Sequence, residues 1–292
     1  MVVGTVSNIS TQLLSNLDKV IKAVNAFELT HIYLVESDST DSTIEILREL
    51  GNKIVNFDYI SLGNLKDDIP DRISRIRFCR NVYVARIRKI IEETHLDYIV
   101  VADLDGMNSK ISSKAFNSSF VRKDWGAVLA NQTGGYYDLL ALRHPKWCPD
   151  DVFKELQTQK LKIDKTPLPS HSFIRRLKRR LEYDRTRQEV IYSKMKRIKK
   201  SDEWIEVQSA FGGLGIYKAE IFAKFDYSLL EDDQDFESEH VAISKRIIEY
   251  GEKIFINPRM INNHFNTYNV NRFFVIRQIR DIYWNSVHYR SK

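Results

Sequence analysis

Cysteine is almost absent from this chain: Cys79 and Cys148 are the only two in 292 residues. Two thiols make no disulfide framework at this size, and without a Cys-x-x-Cys pair there is neither a zinc knuckle nor a dithiol redox motif. Reduced thiols in a cytoplasmic protein are the expectation. Proline and glycine are scarce as well, at 6 and 11 residues, so no long tract reads as a linker or as disordered. No apolar run approaches the roughly 20 residues that span a bilayer. The first residues, Met1-Val2-Val3-Gly4-Thr5-Val6, have neither the basic region nor the long apolar region of a signal peptide, and read instead as a strand. What remains is 43% hydrophobic and 29% charged, a balance that supports a sizeable core in one large α/β domain or two small ones.

Charge is unevenly placed. The net charge is +6, and twelve basic residues fall between Arg175 and Lys200. Such a field attracts polyanions: nucleic acid, anionic lipid headgroups or an anionic glycan. It is equally the mark of a solvated basic helix with no partner. Pro167 and Pro169 precede it, and the change in composition marks residues 160–200 as a basic helical insertion on the main domain.

The first hundred residues alternate between two periodicities. Val2–Val6 reads as a strand, Leu13–Phe27 as a helix, His31–Val35 as a buried strand and Ser42–Leu50 as a helix. Lys53–Phe57 is a third strand candidate, Arg72–Glu93 a long helix and Tyr98–Ala102 a fourth strand. This alternation predicts an α/β fold with a mixed, mostly parallel sheet flanked by helices, in which ligands bind beyond the carboxyl ends of the strands. Ala127–Asn131 is a further strand, and the pattern resumes from Val207 to Tyr217.

Polar residues just after strands therefore carry the functional information. Asp103 and Asp105, one residue apart after the apolar run ending at Ala102, present two hard oxygen ligands suited to Mg2+ or Mn2+. Strand-end carboxylates are also common turn residues. Glu36-Ser37-Asp38-Ser39-Thr40-Asp41 follows the second strand and opens a helix. Ser39, Thr40 and Asp41 suit helix capping, while Glu36 and Asp38 sit where a ribose or base can be hydrogen-bonded.

Strand, acidic-Ser-Asp-Ser-Thr-Asp, helix, then strand and Asp-x-Asp resembles the nucleotide-sugar half of GT-A (Rossmann-like) glycosyltransferases. Within these it is most similar to the cryptococcal capsule-associated mannosyltransferase family and related bacterial and viral enzymes. Further matches are Arg75-Ile76 and Arg80-Asn81, Ser209-Ala210-Phe211-Gly212-Gly213, Glu239-His240-Val241 and Asn257-Pro258-Arg259. The resemblance runs from Val3 to about His264, and residues 160–200 have no counterpart in it.

The resemblance implies a single domain over 1–292. Residues 1–110 form the nucleotide-sugar half, 111–265 the acceptor half and 266–292 a C-terminal helix. It implies that Asp103 and Asp105 hold Mn2+ or Mg2+ and the phosphates of a UDP- or GDP-sugar, with Asp105 the more direct ligand. His264 is then a late metal-binding histidine, although a lone histidine is also a common structural residue. Glu36 and Asp38 face the nucleoside. Arg75 and Arg80 reach the diphosphate or pair with the metal carboxylates, or are ordinary ion pairs. Gly212-Gly213 lets the backbone approach the donor sugar, or is a plain turn. Glu239 opens a helix from which an acidic residue deprotonates the acceptor in inverting enzymes, with His240 as the second choice. The usual acidic pair is here Glu-His, and in a retaining enzyme Glu239 would only orient the acceptor. Tyr137 and Asp138, with Tyr136 and Trp147 nearby, offer an acceptor shelf or plain core packing.

The expected activity is thus metal-dependent transfer of a sugar to a glycan or lipid-linked hydroxyl. The basic insertion and the basic, aromatic stretch from Arg272 to Trp284 add an expected peripheral association with anionic membranes. Two alternatives stand beside it. One is a nucleotidyltransferase, which would carry a Gly-rich basic loop that Gly4-Thr5-Val6-Ser7-Asn8 does not supply. The other is a nucleic-acid- or polyanion-binding protein using the basic segment.

Overall fold

The computed structural model describes residues 1–28, 31–165, 173–229 and 238–264. The strands are β1 (Val2–Val6), β2 (Ile32–Glu36), β3 (Phe57–Ser61), β4 (Tyr98–Ala102), β5 (Ala127–Gln132), β6 (Ile205–Glu206), β7 (Leu214–Lys218) and β8 (Ile254–Asn263). The helices are α1 (Leu13–Ala23), α2 (Thr43–Lys53), α3 (Arg72–Glu93), α4 (Ser113–Asn117), α5 (Val152–Lys165), α6 (Phe173–Val190), α7 (Ala219–Phe222) and α8 (Glu239–Glu249). The C-terminal helix expected over 266–292, and Glu237, lie outside the described residues.

All eight strands join one sheet in the order β3-β2-β1-β4-β7-β5-β8-β6. β1, β2, β3 and β4 run parallel, as do β5 and β8, while β7 and β6 are antiparallel to their neighbours. This is the mixed, mostly parallel, helix-flanked sheet that the alternation of periods predicts. Successive strand residues point to opposite faces, and the sequence uses this to build two cores. Val3, Tyr33, Val35, Ile99 and Val101 pack toward α3 and α8. Val2, Ile32, Leu34, Val100 and Ala102 pack toward α1 and α2. Covering both faces explains why these strands read as unbroken apolar runs rather than alternating ones.

The chain crosses from β1 to β2 and β3 on one side and to β4 on the other. The crevice between the carboxyl ends of β1 and β4 is therefore a topological switch point, where such sheets bind ligands.

Three sequence expectations need correction. The third strand is not Lys53–Phe57. Helix α2 runs on to Lys53, Ile54 N–H still bonds Leu50 O at 2.9 Å, and Val55 is exposed. Asn56 then turns the chain in the left-handed region (φ 64°), and β3 starts only at Phe57. A short Ile-Val run has no period of its own with which to distinguish a helix end from a strand. Helix α1 stops at Ala23 rather than Phe27, whose ring leaves the helix face for a cluster with Tyr98, Phe116 and Phe120. The basic segment is half of a two-helix unit: α5 begins at Val152, before the expected 160–200 boundary, and packs along α6.

Candidate active site at the switch point

A cleft of about 610 Å3 opens at the switch point, a volume suited to a nucleotide-sized ligand. The ends of β1, β2 and β4 form its floor, and the first turns of α3 and α8 form its walls. Asp38, Arg75, Arg80, Asp103, Asp105, Tyr137, Asp138, Glu239 and His240, all singled out from sequence, line this one cleft. Glu36, Gly212, Gly213 and His264 are not among the lining residues.

At the end of β2, Glu36 is fully buried. Its Oε1 accepts the Ser39 N–H at 2.9 Å and its Oε2 accepts the Ser61 hydroxyl, so it ties the β2 loop to β3. Asp41 caps locally, accepting N–H bonds from Ser10 and Thr43 at 3.0 Å each. Asp38 adopts a left-handed φ of 60°, which a short polar side chain tolerates. Its Oδ1 accepts the Lys66 N–H at 2.9 Å, and its Oδ2 lies 3.4 Å from Arg75 Nε. Arg75 Nη1 also donates to the Ile69 and Pro70 carbonyls at 2.8 and 2.7 Å. Asp38 and Arg75 together hold the loop between β3 and α3 over the cleft.

Helix α3 starts where it does because the Asp71 carboxylate accepts the Ser74 N–H at 2.7 Å. Two turns later it delivers Arg80 to the cleft floor, where the guanidinium is almost wholly buried. Each face of the fork has a partner. Nε donates to Glu239 Oε1 at 3.0 Å, Nη1 to the Tyr83 hydroxyl at 3.0 Å and Nη2 to Asp103 Oδ1 at 3.5 Å. The rings of Phe211 and Tyr227 flank it at 5.2 and 5.5 Å. Burial opposes the charge, but Tyr83, Glu239, Tyr227 and Asp103 more than restore it, so Arg80 stays cationic.

The carboxylates outnumber that cation. Burial pushes the Asp103 carboxyl up to about 7 against the pull of Arg80, with Asp105, Asp138 and Glu239 adding to the rise. Asp105 sits on the open side of the cleft, and desolvation by the walls raises it too. Asp138 is raised by burial although it accepts the Gly212 N–H at 2.9 Å. Beside Glu239, His240 stacks on Phe211 with 3.8 Å between centroids and 19° between planes. Burial and Arg80 hold its pKa well below the usual range, so the imidazole is neutral. Among the described residues neither of its ring nitrogens has a hydrogen-bond partner.

Gly212 and Gly213 lie immediately before β7, and both have positive φ, at 70° and 86°. They form a loop clamped by amides from three distant segments. Gln132 Nε2 and Asn262 Nδ2 donate to the Gly212 carbonyl at 3.0 and 2.8 Å, and Asn108 Nδ2 donates to the Gly213 carbonyl at 2.8 Å. The Gly213 carbonyl also accepts the Asp103 N–H at 2.9 Å, so the loop fixes the strand-end aspartate. A Cβ on Gly212 would lie 2.6 Å from Gln132 Nε2 and 2.9 Å from Ala130 O. Gly212→Ala is accordingly expected to cost about 1–3 kcal/mol of stability from backbone strain and the broken clamp. A urea melt checks this; an unchanged midpoint would contradict it.

Tyr136 and Trp147 are core residues, meeting edge to face at 5.7 Å, and of the proposed acceptor shelf only Tyr137 and Asp138 reach the cleft. His264 follows β8 and is exposed, with Nδ1 2.9 Å from the Thr133 hydroxyl oxygen.

The donor set fits a hard divalent ion. Burial raises both Asp103 and Asp105, and the carboxylates around Asp103 add to its rise against the pull of the buried Arg80. Among the described residues no group of three or more carboxylates, imidazoles and thiols converges. Asp103 and Asp105 would supply two oxygen ligands, the usual protein share for Mg2+ or Mn2+ ions that fill the other positions with phosphate and water.

Sequence reasoning missed two groups. Lys66 and Arg72 are exposed cations lining the cleft, and neither forms an ion pair among the described residues. Arg72 lies near enough to Asp105 to oppose the rise of its carboxyl. Its signal was the Asp71 cap, which fixes which residue begins the first turn. Lys66, in an aperiodic loop, had none. The amides Asn108, Gln132 and Asn262 also passed unnoticed, since nothing local marks a clamp assembled from three segments.

No protein-family model matches the chain, and no curated protein matches it. Among solved structures it is similar to S. aureus TarS, with 14% identity over 87% of this chain and 56% of that one and a TM-score of 0.41. It is also similar to the mannosyltransferase PcManGT from Pyrobaculum calidifontis in complex with GDP-Man and Mn2+, at 12% identity, 90% and 55% coverage and a TM-score of 0.45. A third is the inositol-1-phosphate CTP transferase from T. maritima, at 9% identity, 95% and 93% coverage and a TM-score of 0.39. The chain spans little more than half the length of the first two.

Proposed function

We propose that this chain transfers a glycosyl group from a UDP- or GDP-sugar to a hydroxyl of a glycan or lipid-linked acceptor, with Mn2+ or Mg2+ as cofactor. One observation carries the reading: the switch-point cleft is lined both by the Asp103–Asp105 pair and by two exposed cations, Lys66 and Arg72, neither of which forms an ion pair among the described residues. Carboxylates and exposed cations in one cleft suit a ligand that carries both phosphate and a metal ion.

Asp105 is the direct ligand in this reading, because Asp103 already receives Arg80. Mn2+ or Mg2+ held by Asp105 and Asp103 would neutralise charge developing on the diphosphate. Lys66 and Arg72 hydrogen-bond the phosphate oxygens as the glycosidic bond breaks and the nucleoside diphosphate leaves. Ser37 and the neighbouring β2 loop border the nucleoside, with Asp38 acting through the loop that it and Arg75 hold closed. Glu239 takes the acceptor proton through Oε2, while Arg80 on Oε1 fixes its orientation. His240 is the poorer base, because burial disfavours its protonated form, and as a neutral imidazole it hydrogen-bonds the acceptor hydroxyl. Tyr137 keeps its proton, its pKa driven up by burial and by Asp138, and serves as a donor to the acceptor.

The alternative of a nucleotidyltransferase gains nothing from the loop after β1. Asn8 there is used up in holding the β2 loop, its Oδ1 accepting the Thr40 N–H at 2.8 Å.

Lys66→Ala and Arg72→Ala are each expected to weaken nucleoside diphosphate binding about tenfold or more, the value of one charge-assisted hydrogen bond. Titration calorimetry checks this, with the nucleoside as a control that should not change. Equal diphosphate affinity in both variants would remove them from the donor site.

A further inference from the structure

Helices α5 and α6 lie side by side and run in opposite senses. Near the start of α6, Arg179 Nη2 donates to the Asp164 carbonyl at the end of α5 at 3.0 Å, and the Tyr183 hydroxyl bonds the Asp164 carboxylate. At the other end, Trp147 Nε1 donates to the Lys194 carbonyl at 2.6 Å. The hairpin is thus a defined unit attached beside the cleft. Its two helices carry eleven basic and five acidic residues, an excess equal to the +6 of the whole chain.

Charge alone would suit any polyanion. The hairpin also exposes large apolar side chains: Phe153 is 43% exposed, Leu161 54% and Leu181 52%. Phe153 and Leu161 are eight residues apart on α5, two turns along one exposed stripe, and Phe153 also lines the cleft. On α6, Leu181 has Lys178 and Arg185 three residues before and four residues after it, on the same exposed face. Phosphate-backbone binding gains nothing from exposed leucines, whereas an interfacial helix needs apolar residues flanked by basic ones. No helix among the described residues is long and apolar enough to cross a membrane, so contact of this hairpin with a bilayer is at its surface.

We propose that the α5–α6 hairpin docks on an anionic lipid bilayer, with Phe153, Leu161 and Leu181 entering the headgroup region and the lysines and arginines around them facing lipid phosphates. Phe153 belongs to both the stripe and the cleft, so docking sets the cleft mouth at the bilayer surface, within reach of a lipid-linked hydroxyl. The lipid-linked acceptor rests on the transferase reading of the cleft; the docking surface does not.

The test is co-sedimentation of the full chain with phosphatidylcholine vesicles, with and without phosphatidylglycerol. One variant changes Lys165, Lys178, Arg180 and Arg185 to Glu; a second changes Leu161 and Leu181 to Gln. Arg179 is left intact because it closes the hairpin. The wild type is expected to bind only the anionic vesicles. The charge variant should lose about a thousandfold or more in partitioning, given the contribution of each basic residue near such a surface. The leucine variant should lose about tenfold. A wild type that ignores anionic vesicles overturns the proposal. So does a leucine variant that binds like the wild type while the charge variant fails, which is the pattern of a polyanion site such as RNA. Far-ultraviolet circular dichroism confirms folding in each variant, and nucleoside diphosphate titration of the same samples reports on the cleft separately. Vesicle binding without nucleotide binding would reject the transferase reading and keep the docking surface.

Discussion

Arg80→Met is expected to lower the unfolding free energy by about 3–5 kcal/mol, the usual cost of removing one partner from a buried ion pair. The reason is arithmetical. Arg80 is the buried cation shared by Glu239 and Asp103, and burial has already raised Asp103 to about 7 with the cation present. Without it, two carboxylates face each other across a desolvated floor, and the Tyr83 hydroxyl loses its donor. Lysine should not rescue the site, because a single ammonium cannot make the three divergent bonds of the fork. Chemical denaturation of the wild type, Arg80→Met and Arg80→Lys checks this. A loss below about 1 kcal/mol in the methionine variant would show that the floor carries less charge than described.

Asp105→Ala should behave in the opposite way, with stability kept and function lost. Asp105 sits on the open side of the cleft with its carboxyl already raised, so its removal relieves repulsion on Asp103. Metal-dependent nucleotide binding should fall by more than the roughly 10- to 100-fold that removing an outer-shell partner costs. Thermal melts with and without Mn2+ separate the two effects. The variant should melt no lower than the wild type without metal, and should lose any rise that metal and nucleotide together produce.

The contrast between these two residues shows what the sequence could reveal. Strand-end carboxylates announce themselves, because an apolar run ends in Asp103-Leu104-Asp105 and strand geometry does the rest. Helix α3 and strand β4 were legible to their boundaries, since Asp71 caps one and apolar residues fill the other. Arg80 was visible as an arginine on that helix, but its partners were not. Tyr83 is one turn away, whereas Glu239 is 159 residues away in sequence and meets it only when α8 docks. The amide clamp on Gly212 and Gly213 was illegible for the same reason. Lys53–Phe57 failed differently: a short apolar run bounded by helix end and strand start fits both. The α5 helix was hidden because its apolar face is narrow, with Val152, Leu156 and Ile163 its buried positions. Its exposed Phe153 and Leu161 break the amphipathic pattern.

The central claim is that the switch-point cleft holds a nucleoside diphosphate through the Asp103–Asp105 pair. The most direct measurement is calorimetric titration of UDP and GDP into the full chain, with Mn2+ and with EDTA, for the wild type and Asp105→Ala. The account predicts saturable binding of at least one nucleotide with Mn2+, lost on chelation and lost in the variant. Failure of both nucleotides to bind with Mn2+, or equal affinity in Asp105→Ala, would contradict it.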